Sequence, residues 1–354
     1  MDTKGLWAES ARTPRWEILL LDEADRVIRP LTTVVGGNLE VNANTRLKYS
    51  GALTLGDAAG IDFMRHRVKI KYHPGIDGVP GLDMAVMLLS SPERRHSARG
   101  DRWEIGLLSK LVVVDEDCVE ETYSLPAGAN IIDEARALLL SVGGGHPKIQ
   151  PSGLQLKTAL TWDAGTSKLT IINALLEAAG YWSLSVDGGG VFQLLPYVPP
   201  GGRPVAWRHR AGATSVHRDE WAYTRDLSSI PNRVVCVSQG TDTEPGLVGV
   251  AVNEDPGSPY AYAARGRWVT KVVDNVEAAS QQVIDALAQR ALLDAMSPVG
   301  KLSVTHAIIP TAVNDVVEFE PAGGQRLRAT VQSQSYEFGF DAQCRAQWRE
   351  IIEV

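Results

Sequence analysis

The spacing of apolar residues changes twice along the chain, and this change most constrains the fold. Up to about residue 114, apolar and polar residues alternate in short runs such as Leu47–Leu55 and Val68–Tyr72, which is typical of half-buried strands. Between 126 and 200 the spacing becomes helical, and beyond it strand-like runs return around one long helical stretch. The pattern predicts a mainly β, α+β fold in which a small helical unit lies between two β-rich regions.

Local signals predict the elements of the central unit. Asn130 is placed to cap a helix over Ile131–Ser141, and a second helix is expected at Ser167–Ala179. A hairpin should follow around the turn Asp187–Gly190. The proline-rich segment Pro196–Pro204 is typical of an extended linker. The order of helix, hairpin, linker and strand is distinctive and contains no catalytic motif, which points to an assembly component.

The flanking regions carry further predictions. Leu111–Val114 is expected to be a short strand, and Gly36-Gly37-Asn38 is expected to be a turn. Gly240–Pro259 is rich in turn-forming residues and predicts a loop, and Glu277–Met296 predicts the longest helix. These elements suggest three domains: a β-rich, barrel-like domain over 1–125, an α+β connector over 126–200, and a second barrel-like domain with one long helix over 201–354.

Composition excludes some classes of function. The 354 residues are 44% hydrophobic and 22% charged, with a formal net charge of -7. This balance is ordinary for a globular protein and argues against one that wraps nucleic acid. The first fifteen residues lack the apolar core of a signal peptide, and no apolar run reaches the length of a membrane helix. We expect a protein made in a cytoplasm without membrane insertion.

The cysteines and histidines give no strong site. The three cysteines, Cys118, Cys236 and Cys344, are far apart in sequence and are expected to be buried or partly buried free thiols. The nearest histidine pairs, His66 with His73 and His209 with His217, do not have the spacing of known zinc motifs. No catalytic, cofactor-binding or metal-ligating residue is assigned, and no cofactor is expected.

Two other hypotheses about function remain open. Glu120 and Glu121, or Asp115 and Asp117, could form a carboxylate pair of a cell-wall hydrolase. Exposed tryptophans together with the loop Gly240–Pro259 could bind host-surface glycans. The tryptophans considered for this role are Trp103, Trp162, Trp182, Trp207, Trp221 and Trp268.

Several segments, in their order along the chain, carry a family resemblance. The opening segments read TPRWEILLLDEADRVIRPL and GGNLEVNANTRLKYSGALTL, and the middle reads LTIINALLEAAGYWSLSVDGGGVFQLLPYVPPGGRPVAW. The later segments read DLSSIPNRVVCV and LRATVQSQSYEFGFDAQCRAQWREIIEV. Together they cover nearly the whole chain and resemble minor tail proteins of long-tailed phages, especially those of actinobacteria.

The resemblance implies a tail-tip or baseplate hub in the virion. In such hubs two related β-barrel domains per chain give a homotrimer six barrel positions, which adapt a six-fold tail tube or distal tail ring to a three-fold tip. The implied partners are the distal tail protein or tube ring, the central spike or fibre proteins and the tape measure protein, with DNA only in transit. Because the chain ends soon after the second β-rich region, we expect a structural protein without wall-degrading activity.

Overall fold

The chain divides into two compact units. The computed structural model describes residues 5–8, 12–98, 100–225, 228–238, 246–274, 276, 281–295, 300–324 and 326–351. Unit 1 comprises Met1–Trp221 and Ser303–Trp348, and unit 2 comprises Ala222–Leu302 and Arg349–Val354. The domain boundaries expected at residues 125 and 200 both lie inside unit 1 and remain predictions.

Seven strands form the first β-set of unit 1, after a short 3-10 turn at Leu6–Ala8. They are β1 (Arg15–Leu21), β2 (Val27–Pro30), β3 (Val34–Asn42), β4 (Tyr49–Leu55), β5 (Arg67–His73), β6 (Leu82–Ser97) and β7 (Gly100–Ser109). They pair in the order β3-β4-β7-β6-β5-β1-β2. Alternate residues such as Val68 and Ile70 are fully buried, so the side chains on one face of the strands form the core.

The connector follows in unit 1 and has a core of its own. Its elements are α1 (Val112–Glu116), β8 (Tyr123–Leu125), α2 (Ile131–Ser141), β9 (Lys148–Ile149), β10 (Leu160–Trp162), α3 (Lys168–Ala178), β11 (Ser185–Val186) and β12 (Phe192–Leu194). Both predicted helices are confirmed. The Asn130 side chain accepts from the backbone N–H groups of Ile132 and Asp133 at 3.0 and 3.1 Å, which satisfies donors that the first helical turn leaves unpaired.

The rest of the chain supplies the second β-set and unit 2. After a 3-10 turn at Pro200–Gly202 come β13 (Val205–Arg210), β14 (His217–Arg225), β15 (Arg233–Val237), β16 (Val248–Val252), α4 (Tyr262–Arg265), β17 (Thr270–Val273), α5 (Gln281–Ala295), β18 (Gly300–Ala307), β19 (Val316–Glu320), β20 (Leu327–Glu337) and β21 (Gln343–Glu350). Strands β14-β18-β21-β20-β19 pair in this order, with β13 parallel to β19. We call these six strands the second β-set.

The predicted mainly β architecture with few helices is confirmed. Its sheets are open and do not form a closed barrel. In the part of the chain that the structure describes, no ladder joins β2 to β3 or β13 to β14. Each β-set is therefore an open sheet, and the barrel-like arrangement expected from the sequence has no closed hydrogen-bonded barrel.

One strand, β20, joins the two β-sets. Its first half pairs with β19 through Leu327–Thr330, and its second half pairs with β3 through Ser333–Glu337. Aromatic rings cover this joint: the Trp16 ring lies 4.8 Å from that of Phe338 and 6.3 Å from that of Tyr336, measured between centroids. A continuous ladder and an aromatic cluster thus fix one β-set to the other.

Two local predictions in the N-terminal half are wrong. Leu111–Val114 was expected to be a strand, but it enters helix α1, where Leu111 and Val114 are buried in the connector core. Residues three apart share a helical face, and this burial overrides the strand preference of valine. Gly36-Gly37-Asn38 lies inside β3. A Cβ on Gly37 would be 2.5 Å from the carbonyl oxygen of Ala52, so this glycine permits close strand packing.

Three other predictions need correction or restriction. The predicted loop Gly240–Pro259 contains β16, while 240–245 lie outside the described residues. The predicted long helix is observed as α5, with 277–280 and 296 outside the described residues. Cys236 and Cys344 are buried free thiols as expected, but Cys118, which follows α1, is exposed.

Candidate assembly surfaces

One face of the sheet in unit 2 is covered by α5, and the other is a row of valines. The covered face forms a core of six buried residues: Val234, Cys236, Ala251, Ile284, Ala288 and Leu292. On the opposite face, Val250, Val235 and Val272 lie directly opposite one another across the three strands. Val248, Val250 and Val272 are about half exposed. This valine face is an apolar surface of the kind that other proteins cover.

Cationic and aromatic side chains extend the valine face. Arg233 shares the strand phase of Val235, and its guanidinium lies 4.9 Å from the Trp268 ring centroid. The Arg233 Nε donates to Thr270 Oγ1 at 2.9 Å. The Trp268 ring in turn packs 4.5 Å from Tyr262. Arginine, tryptophan and tyrosine are enriched at the centres of protein interfaces.

In unit 1, β6 and β7 extend beyond their neighbours as a two-stranded ribbon. β5 pairs with β6 only as far as Leu88, whereas β6 and β7 remain paired up to Ser97 and Gly100. Ion pairs cross the ribbon: Arg94 Nε lies 2.9 Å from Asp101 Oδ2. Hydrogen bonds from His96 and Arg94 lower the pKa of Asp101. Charged side chains of this kind protect exposed edges from unspecific strand pairing.

The connector hairpin is fixed against the first β-set. A Cβ on Gly188 would be 1.9 Å from the carbonyl oxygen of Asp83 on β6, so only glycine fits there. Lys110 is 8% exposed, and its Nζ donates to the carbonyl oxygen of Gly190 at 2.9 Å and forms an ion pair with Asp25. The hairpin tip is therefore held by close backbone contact and by a buried charge with two partners.

Two adjoining clefts lie between the connector and both β-sets. Their volumes are about 220 and 580 Å³, and they share Tyr49, Gly188, Ala312, Val313 and Asp315 as lining residues. Burial raises the pKa of Tyr49 to about 12. Lys48 and Asn314 line the larger cleft with φ of 62° and 70°, a conformation that costs non-glycine residues about 1–3 kcal/mol. The surrounding residues must stabilise this left-handed backbone, which indicates a rigid joint between the connector and the two β-sets.

The candidate carboxylates of a hydrolase have structural partners. Asp115 accepts from Arg46 Nε at 2.9 Å and from Ser167 Oγ at 3.1 Å. The Arg46 hydrogen bond is the largest cause that lowers the pKa of Asp115. Asp117 pairs with Lys168 Nζ at 2.8 Å. Both aspartates thus anchor the start of α3. The other two candidates are exposed: Glu120 and Glu121.

The first histidine pair is engaged in local contacts. His73 Nε2 lies 2.7 Å from Glu17 Oε2 across β5 and β1, and this hydrogen bond lowers the pKa of Glu17. His66 Nδ1 accepts from the backbone N–H of Asp62 at 3.0 Å. In the described residues, no three or more His, Cys, Asp or Glu side chains are arranged to hold a metal ion.

The second histidine pair does come together, with a third member. The His209 and His217 rings are 6.0 Å apart, and His306 lies 5.0 Å from His209. Sequence reasoning missed His306. It shares the inward phase of β18 with Leu302 and Val304, and this alternation was the signal that could have found it.

The tryptophans do not form one platform in unit 1. Each packs on a ring of its own neighbourhood: Trp103 on Phe63, Trp162 on Tyr123, Trp182 on Tyr197 and Trp221 on Phe319. Trp207 is buried, and Trp268 lies beside the valine face of unit 2. These contacts are typical of core and interface positions.

Solved structures identify the fold. The chain is similar to a tail protein from Neisseria meningitidis MC58, with a TM-score of 0.64 at 9% identity, over 95% of this chain and 97% of that one. A 43 kDa tail protein of prophage MuSo2 from Shewanella oneidensis gives 0.63 at 10% identity, over 94% and 98%. The chain has the fold of these phage tail proteins. No model of a known protein family matches the chain, and no curated protein matches its sequence.

A weaker similarity is to a component of a secretion system. A type VI secretion component from E. coli, described as structurally similar to bacteriophage T4 tail proteins gp27 and gp5, gives a TM-score of 0.52 at 9% identity. It covers 91% of this chain and 74% of that one. No helix in the described part of the chain has both the length and the apolar character to cross a membrane.

Proposed function

We propose that this chain is a structural component of a phage-type tail and acts as the tail-tip or baseplate hub. The observation that carries the proposal is the match of nearly the whole chain to two tail proteins at TM-scores above 0.6. The sequence resemblance to minor tail proteins of actinobacteriophages agrees with it. The chain takes part in assembly and catalyses no reaction.

The two β-sets support the hub role. Each chain carries two open β-sets joined rigidly through β20, so three copies would present six such sets to a six-fold tail tube or distal tail ring. The other face would meet the central spike or fibre proteins. DNA would pass through the ring, and the net charge of -7 would keep it from binding tightly there.

The oligomeric state tests this proposal. Native mass spectrometry of the full-length protein, alone and with the distal tail protein or tube ring from the same tail, should give a homotrimer in at least one condition. A chain that stays monomeric and does not bind the ring would contradict the hub role. A gel-shift assay should detect no tight DNA binding at physiological salt.

The valine face offers a variant for the same assay. Val250→Asp places a charge in the exposed apolar row and should reduce trimer or ring binding by at least about tenfold, while the circular dichroism spectrum stays unchanged. Leu154→Asp, at an equally exposed position in the connector, is the matched control and should assemble normally. Equal loss in both variants would show that assembly does not depend on the valine face.

A further inference from the structure

Three histidines are buried together inside the second β-set. His209 on β13, His217 at the start of β14 and His306 on β18 are 1%, 8% and 2% exposed. Their rings lie 5.0 Å (His209 to His306) and 6.0 Å (His209 to His217) apart. Because these strands come from distant parts of the sequence, the three rings meet only when the second β-set is assembled.

The cluster is packed among rings with few hydrogen-bond partners. Trp348 lies 4.7 Å from His209, and Phe319 lies 5.1 Å from His217. His306 Nδ1 contacts the carbonyl oxygen of Ala307 at 2.7 Å. Both ring nitrogens of His209 are buried without a partner among the described residues. A buried polar group without a hydrogen-bond partner destabilises the native state. Exposure to water would therefore stabilise the His209 ring.

Among the described residues, no carboxylate forms a hydrogen bond or ion pair with the three rings. Charged residues in the opposite phase pair on the other side of the strands, as Arg208 with Glu318 at 2.9 Å and Arg210 with Glu320 at 3.2 Å. Arg345 on β21 pairs in the same way with Glu337 on β20. The charges that act on the cluster are Asp219 on β14, which acts on His217, and Arg12, which acts on His306. Tyr72, Arg218 and Asp341 line the cleft of unit 1 that reaches His217 and His306. Cys344 and Tyr336 are further titratable side chains of the second β-set, and burial raises the pKa of both.

Burial therefore keeps the imidazoles neutral. It lowers the pKa of His306 to about 4 and that of His209 well below its ordinary value, and it also lowers the pKa of His217. Neighbouring histidines lower the pKa of His209 and His306 further, since each charged ring would repel the next. A cleft of about 390 Å³ in unit 1 is lined in part by His217 and His306. Protons from solvent can therefore reach the cluster through this cleft.

We propose that these three histidines form an acid-sensitive latch that opens the second β-set below about pH 6, while the first β-set and the β15–β17 sheet with α5 stay folded. In the closed state the neutral rings pack between β13, β14 and β18. When the strands separate, the rings meet water, take up protons and can no longer pack against one another. This device is independent of the proposed role in the tail.

The three cysteines of the native chain report on this opening. Cys344 is buried on β21, next to β18, Cys236 is buried in unit 2, and Cys118 is exposed. The full-length protein would be labelled with 4,4′-dithiodipyridine, which reacts with thiols in acid, at pH 7.5 and pH 4.5. Acidic digestion and mass spectrometry would then give the labelling rate of each cysteine, relative to Cys118 at the same pH.

We expect the relative rate at Cys344 to rise on the order of 70-fold at pH 4.5, from a His306 pKa that changes from about 4 when closed to 6.5 when open. Cys236 should stay protected at both pH values. Equal protection of Cys344 at both values, or joint exposure of Cys344 and Cys236, would overturn the latch.

Variants link the effect to the histidines. His209→Phe combined with His306→Phe keeps an aromatic ring at each position but removes the titration, and it should reduce the rise at Cys344 to a few-fold. His146→Asn, at an exposed histidine of the connector, should behave as the unmodified protein. An unchanged rise in the folded double variant would refute the assignment, and if that variant does not fold, the rates in the unmodified chain still decide the proposal.

Discussion

Adding one methyl group to the connector hairpin should loosen its contact with β6. In Gly188→Ala the new Cβ would lie 1.9 Å from the carbonyl oxygen of Asp83, where contacts under 3.0 Å essentially never occur. The hairpin must therefore move by about 1 Å or more away from tightly packed backbone. Overpacking of this kind costs about 1–3 kcal/mol of unfolding free energy.

The neighbouring glycine is the control. A Cβ on Gly189 would meet nothing closer than the Asp187 side chain at 3.3 Å, so Gly189→Ala should change the unfolding free energy by less than about 0.5 kcal/mol. Differential scanning calorimetry should show the transition of unit 1 lowered by about 2–6 °C in Gly188→Ala and unchanged in Gly189→Ala. Equal transition temperatures in the two variants would refute the reasoning that close backbone contact fixes the hairpin.

Three further predictions concern single contacts. Asn130→Ala should cost about 1 kcal/mol by urea unfolding because two helical N–H groups lose their acceptor, and Asn130→Asp should restore it; a cost without rescue would argue against capping. Lys110→Met should cost about 1–3 kcal/mol because Gly190 loses its donor and Asp25 loses a cation, and a variant as stable as the native chain would mean that burial of the lysine offsets its pairing. His306 binds protons less readily when folded, with a pKa near 4 against 6.5 unfolded, so its protonation lowers the free energy of unfolding as pH drops from about 7 towards 4. The acid-induced loss measured by urea unfolding should be smaller by about 3 kcal/mol in His306→Phe than in the unmodified chain, and equal losses in the two would contradict this.

The sequence predicted best those elements whose signals are local. Helix α2 has its cap at Asn130 and a left-handed glycine at Gly143, and both lie within one short stretch. The predicted hairpin around Asp187–Gly190 is observed as the antiparallel pair β11 and β12, because its turn residues are adjacent in sequence. Such signals depend on residues that are neighbours in sequence, so they can be recognised before the fold is known.

The failures depend on contacts between distant residues. Val114 prefers a strand, yet its burial against the connector core favours a helix. Gly37 looks like a turn residue until the backbone of Ala52 is known to lie against it. The valine face and the histidine cluster likewise arise only when separate strands pair. The alternation of β18 indicates that His306 points inward, but not that His209 and His217 lie beside it.

The pairing of β3 with β20 has a consequence for the timing of synthesis. Asn38 pairs with Glu337, so one edge of β3 has no partner until nearly the whole chain has left the ribosome. At bacterial rates of about 5–20 residues per second, that edge stays open for roughly 15–60 s. An open edge can pair with a wrong strand, and ribosome-stalled chains that stop before Leu327 should expose β3 to proteases or chaperones. Completion of the chain would then be the event that closes this edge.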